Sequence, residues 1–336
     1  MDLLSSSWGP GVRAPSLTHC AFSDPPILPV PSAIRRSLFR PSLTLTTGLL
    51  SCLKSFRVVI LCFNVFWYFW IDFGAYRCNT SLLIDYCQSD GKHSYLLIDA
   101  GKTFREQVLR WFTFHKIPQV DSILLTHEHA DAVLGLDDIR AVQPYSPIND
   151  IDPTPIYLSQ HAMNSISTKF PYLVQKKLKE GQEVRRVAQL DWKIIEEHCD
   201  KPFVASGLHF VPLPVMHGKD YICLGFLFGE KSRVAYISDV SRIPSTTEYV
   251  LSKTGAGQLD LLILDTLYKS RSHNVHFCLP QTLEAVKKLC PKRALLIGMT
   301  HEFDHHKDND FLTEWSKREG IPVQLARDGL RISIDL

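Results

Sequence analysis

From Asn79 onward, apolar residues fall into short runs of β-type alternation punctuated by turns, and between them into stripes at helical spacing. Segments 80–86 (TSLLIDY) and 94–99 (SYLLID) flank a Gly-containing turn at 89–92 and predict a hairpin. A helix is predicted over 103–115, with Phe104, Val108, Leu109 and Phe112 on one stripe. The unit then repeats: a buried strand at 122–125, a polar loop and a helix over 132–142, then a strand at 155–158 with a helix behind it. Segment 203–237 reads as several strands with few helical signals, ending in the apolar run 234–237. Strands at 261–264, 294–297, 323–325 and 332–334 alternate with helices at 279–289 and 310–318. Strands in groups, with helices spread through both halves, fit an α/β protein of two sheets between helical layers better than one doubly wound sheet.

Residues 1–76 break this pattern. Seven prolines lie among Ser, Thr and Arg in 1–48, which interrupts both helical and strand periodicity. The apolar run 58–71 (VVILCFNVFWYFWI), starting at Val58 and closing at Ile71, is shorter than the roughly 20 residues a membrane-crossing helix needs. It reads as a membrane-association segment, an organelle-targeting sequence, or a stretch without an evolved role. Charge marks the same division: six basic and three acidic residues in 1–76, against 31 and 32 in 77–336. The expected organisation is therefore an atypical segment 1–76 outside the core and a neutral globular domain 77–336, cytoplasmic unless the first segment directs it to an organelle or membrane. A net charge of +2 gives no concentrated cationic surface for a long nucleic acid. Nine scattered cysteines without a C-x-x-C pair suit a reducing compartment, and none is assigned to a metal or a disulfide.

The strongest chemical signal follows the strand at 122–125. In Thr126-His127-Glu128-His129-Ala130-Asp131-Ala132, His127, His129 and Asp131 recur at every second residue, so in extended chain they face one side. Imidazole and carboxylate donors together suit zinc, manganese or iron. The segment resembles the H-x-H-x-D-H signature of the metallo-β-lactamase fold superfamily. Over 77–336 the chain is most similar to the branch containing the phosphoribosyl cyclic phosphate phosphodiesterases. His217 in PVMHG, Asp239 in YISD and His301 in GMTHE follow in the superfamily's order, each after a predicted strand.

The resemblance implies a four-layer αββα sandwich and a site for one or two ions, Zn2+ or Mn2+. His127, His129 and His217 would hold the first ion, Asp131 and His301 the second, and Asp239 would bridge them. The implied activity is hydrolysis of a small phosphodiester or cyclic phosphate by a metal-activated water. Asp131 and His276 are the residues expected to bear on catalysis, with His276 in HNVHF as proton donor to the leaving oxygen. Asp99 and Gly101 in LIDAG match a strand-turn whose acid orients a metal-binding histidine. Two departures stand out. Ala132 occupies the signature's third histidine, and nothing in 1–76 resembles the superfamily's first strand and Gly-rich turn, so that strand is expected to be missing or replaced. These departures motivate two further readings, a mononuclear-iron enzyme of the persulfide dioxygenase type and a weakly active or inactive binding module.

Overall fold

The computed structural model describes residues 56–60, 77–146, 151–174 and 187–336. The first six strands are β1 (Phe56–Ile60), β2 (Leu82–Cys87), β3 (His93–Ile98), β4 (Ser122–Leu124), β5 (Thr154–Leu158) and β6 (Leu190–Ile194). They are followed by β7 (Phe203–Ala205), β8 (Leu208–Met216), β9 (Ile222–Phe228), β10 (Val234–Ile237), β11 (Leu261–Asp265), β12 (Ala294–Ile297), β13 (Val323–Leu325) and β14 (Leu330–Ile334). Among the described residues these form two sheets, in the orders β14-β1-β2-β3-β4-β5-β6 and β13-β12-β11-β10-β9-β8-β7. Each sheet has an antiparallel half and a parallel half. The change falls at β3 in the first sheet and at β10 in the second.

The layers follow from period-two alternation along the strands. Leu82 and Ile84 on β2, and Leu96 and Ile98 on β3, face a core shared with Phe226, Phe228, Tyr236 and Ile263 of the second sheet. The intervening Leu83 and Leu97 face helices on the outer side of the first sheet, and Leu262 and Leu264 do the same for the second. Both faces of the central strands are thus buried, which makes them read as near-continuous apolar runs. Each fully buried Leu, Ile or Phe contributes roughly 1.5–3 kcal/mol. The architecture is the expected αββα sandwich.

On the helical layers, α1 (Phe104–Gln107) continues through a π-helical turn at Val108–Phe112 into α2 (Thr113–His115), filling the predicted stretch 103–115. The single helix expected over 132–142 is instead a short α3 (Ala130–Val133) and a 3-10 helix at Leu136–Val142. Tertiary contact breaks it: the Gly135 amide donates to the Ala100 carbonyl (2.7 Å) and the Ala100 amide to the Ala132 carbonyl (2.8 Å). Next come α4 (Gln160–Lys169), α5 (Pro171–Val174), α6 (Ser245–Leu251), which has no counterpart in the sequence pattern, and α7 (Leu279–Leu289). The last helix, α8 (His305–Glu319), starts earlier than 310 because Asp304 caps it, accepting from the amides of His306 and Lys307.

The first-strand position is replaced rather than missing. Phe56–Ile60 pairs antiparallel with β14 on one side and β2 on the other, with Val58 opposite both Ile332 and Ile84. Three residues of the apolar run 58–71 therefore lie in a sheet; the rest of that run, and residues 1–55, fall outside the described residues. Among the described residues no helix is long and apolar enough to cross a membrane.

Candidate metal centre

Chemistry-bearing residues gather where strands end. Thr126 to Asp131 leave β4, His217 follows β8, Asp239 follows β10, and Asp265 closes β11. Loops at strand ends are free of ladder pairing and can converge side chains on one point.

The histidine-bearing loop is held from below. Asp99 sits at φ 63°, a left-handed conformation uncommon for a non-glycine residue. Its carboxylate accepts from the Thr126 amide (2.9 Å) and hydroxyl (2.8 Å), and that hydroxyl lies 2.9 Å from His127 Nδ1. Asp99 therefore orients His127 through Thr126, as the LIDAG segment led us to expect, and burial pushes the Asp99 carboxyl well above its ordinary range. Gly101 is needed for the same approach: a Cβ there would stand 1.8 Å from the Asp131 carbonyl oxygen.

With Nδ1 engaged, His127 Nε2 is buried and has no hydrogen-bond partner. His217 Nδ1 meets the Val275 carbonyl at 2.7 Å, which leaves its Nε2 3.3 Å from His129 Nδ1. The ligand atoms of His127, His129 and His217 all lie within 4.8 Å of one another. A buried imidazole nitrogen without a partner, converging with two others, fits a divalent cation and is costly without one. Burial lowers the basicity of both His129 and His217, which keeps them in the neutral form that ligates.

A second group joins His217, Asp239 and His276 within the same 4.8 Å limit. His276 Nδ1 lies 2.8 Å from Asp265 and 3.7 Å from Asp239. Burial raises the Asp265 carboxyl to about 7. Burial also opposes charge on His276, but the hydrogen bond and charge of Asp265 outweigh it and hold His276 above its ordinary value. For Asp239, the neighbouring His127 and His276 overcome burial and leave the carboxyl below its usual range. Asp131, Asp239, Asp265 and His276 line a cavity of about 270 Å³ together with Arg77.

Not every expected ligand joins. His301 is exposed, does not line this cavity and belongs to none of the metal-compatible groups among the described residues. Ala132 is buried in the core on the outer side of the first sheet. His305 and His306 open α8, with His305 held by Asn309, and do not replace it. Three participants escape the sequence pattern. Asp265 ends an apolar strand with no local motif. Tyr221 stacks on His129 (5.1 Å between centroids, 11° between planes) and donates to Glu128 at 2.5 Å. Cys223 brings its thiol into a group with His127 and Asp239.

Residues 94–299 match the family model described as "Beta-lactamase superfamily domain". The chain belongs to the metallo-β-lactamase superfamily. Among solved structures of that fold, a diphosphatase from the PhnP family is 26% identical, with a TM-score of 0.63 over 84% of this chain and 98% of that one. Zn2+-bound PqqB from Methylobacterium extorquens is 16% identical, with a TM-score of 0.59 over 83% of this chain and all of that one, a likeness of fold. A curated relative named octanoyltransferase, from Porphyromonas gingivalis, is 29% identical over 259 residues. The match takes in 76% of this chain and 46% of that protein, so the chain spans about half its length. This superfamily protein thus combines a metallo-hydrolase fold with a histidine-rich site that suits a metal ion.

Proposed function

We propose that the protein is a metal-dependent phosphodiesterase acting on a small phosphodiester or cyclic phosphate. The observation that carries this reading is that His276, paired with Asp265, shares a metal-compatible group with Asp239 and with His217 of the three-histidine group, while His276, Asp265 and Asp239 line one cavity. His127, His129 and His217 would hold a zinc or manganese ion, with Asp239 facing both groups. Such a cation, when bound, lowers the pKa of water, to about 7 for zinc, and offsets charge on a phosphoryl group.

The chain's own residues account for the rest. Asp131, Asp239 and Asp265 make the cavity acidic, so an anionic substrate needs a cation there to enter, and Arg77 adds a permanent positive charge to its lining. With Nδ1 turned to Asp265, His276 would deliver a proton from Nε2 to the leaving oxygen. At about 270 Å³ the cavity is small for a ligand site, which favours a compact phosphodiester over a long nucleic acid. Likeness to the PhnP-family diphosphatase supports phosphoryl chemistry.

The test is metal content and turnover of the full chain. It should bind zinc or manganese and hydrolyse bis-p-nitrophenyl phosphate, with His129→Ala abolishing both. His276→Ala should slow an alkyl phosphodiester by about 10²–10⁴-fold and the p-nitrophenyl ester far less, because the acidic phenol leaves without a proton. Metal-free protein with activity equal to background would refute the proposal. A second reading, single-metal persulfide oxidation, is favoured by one observation, the burial of Ala132 in the core, which removes a ligand for a second ion. Bound iron after aerobic purification, with thiol-dependent oxygen uptake, would select it.

A further inference from the structure

Cys223 lies on β9, wholly buried, beneath the histidine-bearing loop. Its sulfur, a nitrogen of His127 and a carboxylate oxygen of Asp239 all lie within 4.8 Å of one another. Among the described residues it is the one cysteine in any metal-compatible group. His127 is 2% exposed, and its Nδ1 is engaged by Thr126, so the partnerless Nε2 is the atom it has to offer.

Charge distinguishes this group from the others. Three neutral imidazoles bring no negative charge to a dication, and a buried ion that is not neutralised is strongly disfavoured. A thiolate and a carboxylate together balance the two positive charges. Ala132 and the exposed His301 leave the centre short of two donors that the sequence motif leads one to expect, and Cys223 is a further buried donor beside His127 and Asp239.

The geometry points to Cys223 as an additional metal ligand, so that a soft divalent cation held by the three histidines is also held by Asp239 and the Cys223 thiolate. This assignment rests on the metal-centre reading above. On binding, the S–H bond breaks, its electron pair passes to the cation and the proton leaves to solvent. Zinc takes Cys sulfur at about 2.3 Å and His nitrogen or carboxylate oxygen at about 2.0–2.2 Å, so ligand atoms around one tetrahedral ion stand roughly 3.5 Å apart. The 4.8 Å limit on the spacing of the Cys223, His127 and Asp239 ligand atoms exceeds this by little more than about 1 Å, so closure needs at most a movement of that order. Thiolate is a poor donor for manganese, so the chain should discriminate in favour of zinc.

X-ray absorption at the zinc edge of the zinc-loaded full chain tests this. The expected spectrum shows one sulfur scatterer per zinc at about 2.3 Å. It should be lost in Cys223→Ser and kept in Cys278→Ala, whose thiol is in no such group. Zinc affinity should fall by about 10–100-fold in Cys223→Ser while manganese affinity changes by less than about 3-fold. The wild-type spectrum needs no variant, so failure of Cys223→Ser to fold would not shield the assignment. Only nitrogen and oxygen scatterers around bound zinc would overturn the Cys223 assignment and leave the histidine centre standing. A sulfur shell that persists in Cys223→Ser would also overturn it. A full chain that binds no zinc would overturn both.

Discussion

Single residues act at this centre mainly through their neighbours. His127 presents Nε2 because Thr126 occupies Nδ1, and Thr126 is placed by Asp99. Thr126→Val keeps the shape and removes the hydroxyl. It should weaken zinc binding by about 10–100-fold, as loss of an outer partner of a metal-ligating histidine does, with the fold retained. Calorimetric titration of zinc into variant and parent checks this. Glu128, between the two histidines in sequence, has partners of its own: its carboxylate receives Tyr221 at 2.5 Å and lies 3.3 Å from His161, while Lys169 donates to its carbonyl. The loop is thereby clamped to both ends of α4 and to the ring lying over His129. Burial, together with the hydrogen bond to Glu128, pushes the Tyr221 phenol up and so keeps it a donor.

At the level of elements, β1 is the informative case. It lies between β2 and β14, and its loss would leave the facing edges of both without ladder partners. Exposed edges of this kind template aggregation. A chain beginning at residue 52 should therefore keep the thermal midpoint of the full chain, whereas one beginning at residue 77 should melt lower and aggregate. Scanning calorimetry with light scattering distinguishes the two. The interruption between α3 and the 3-10 helix has a related origin. The ties from Ala100 to Ala132 and Gly135 hold the turn that interrupts the helix expected over 132–142, just after Asp131, which lines the cavity.

For the whole molecule, the centre concentrates buried groups that lack partners, with His127 Nε2 and Asp265 Oδ1 among them. Ligand binding to the folded state alone stabilises it by mass action, about 2.7 kcal/mol at a free concentration 100 times the dissociation constant. Zinc-loaded protein should accordingly unfold at a higher temperature than chelated protein, and His129→Ala should erase the difference. Equal midpoints with and without chelator in the parent would contradict a metal centre coupled to folding.

Much of the fold is legible in the chain because alternation is local. The apolar runs at 94–99, 234–237, 261–264, 294–297 and 323–325 mark strands, and the stripe at 279–289 marks α7, since core-facing positions recur at fixed short spacing. The ligand motif at 127–131 is legible for the same reason, and so is the order of His217 and Asp239 after strands. The rest depends on contacts between distant residues. Val58 enters a sheet because two strands far along the chain offer it edges, and its own composition does not show this. His301 follows a strand like the other expected ligands but lies exposed, while His276, Asp265 and Cys223 converge from separate loops and strands. By itself the sequence determined the layers and the histidine-rich loop, because both are written in neighbouring residues. Which side chains complete that loop into a metal centre was decided by the packing of the two sheets, which sets the positions of their strand ends relative to one another.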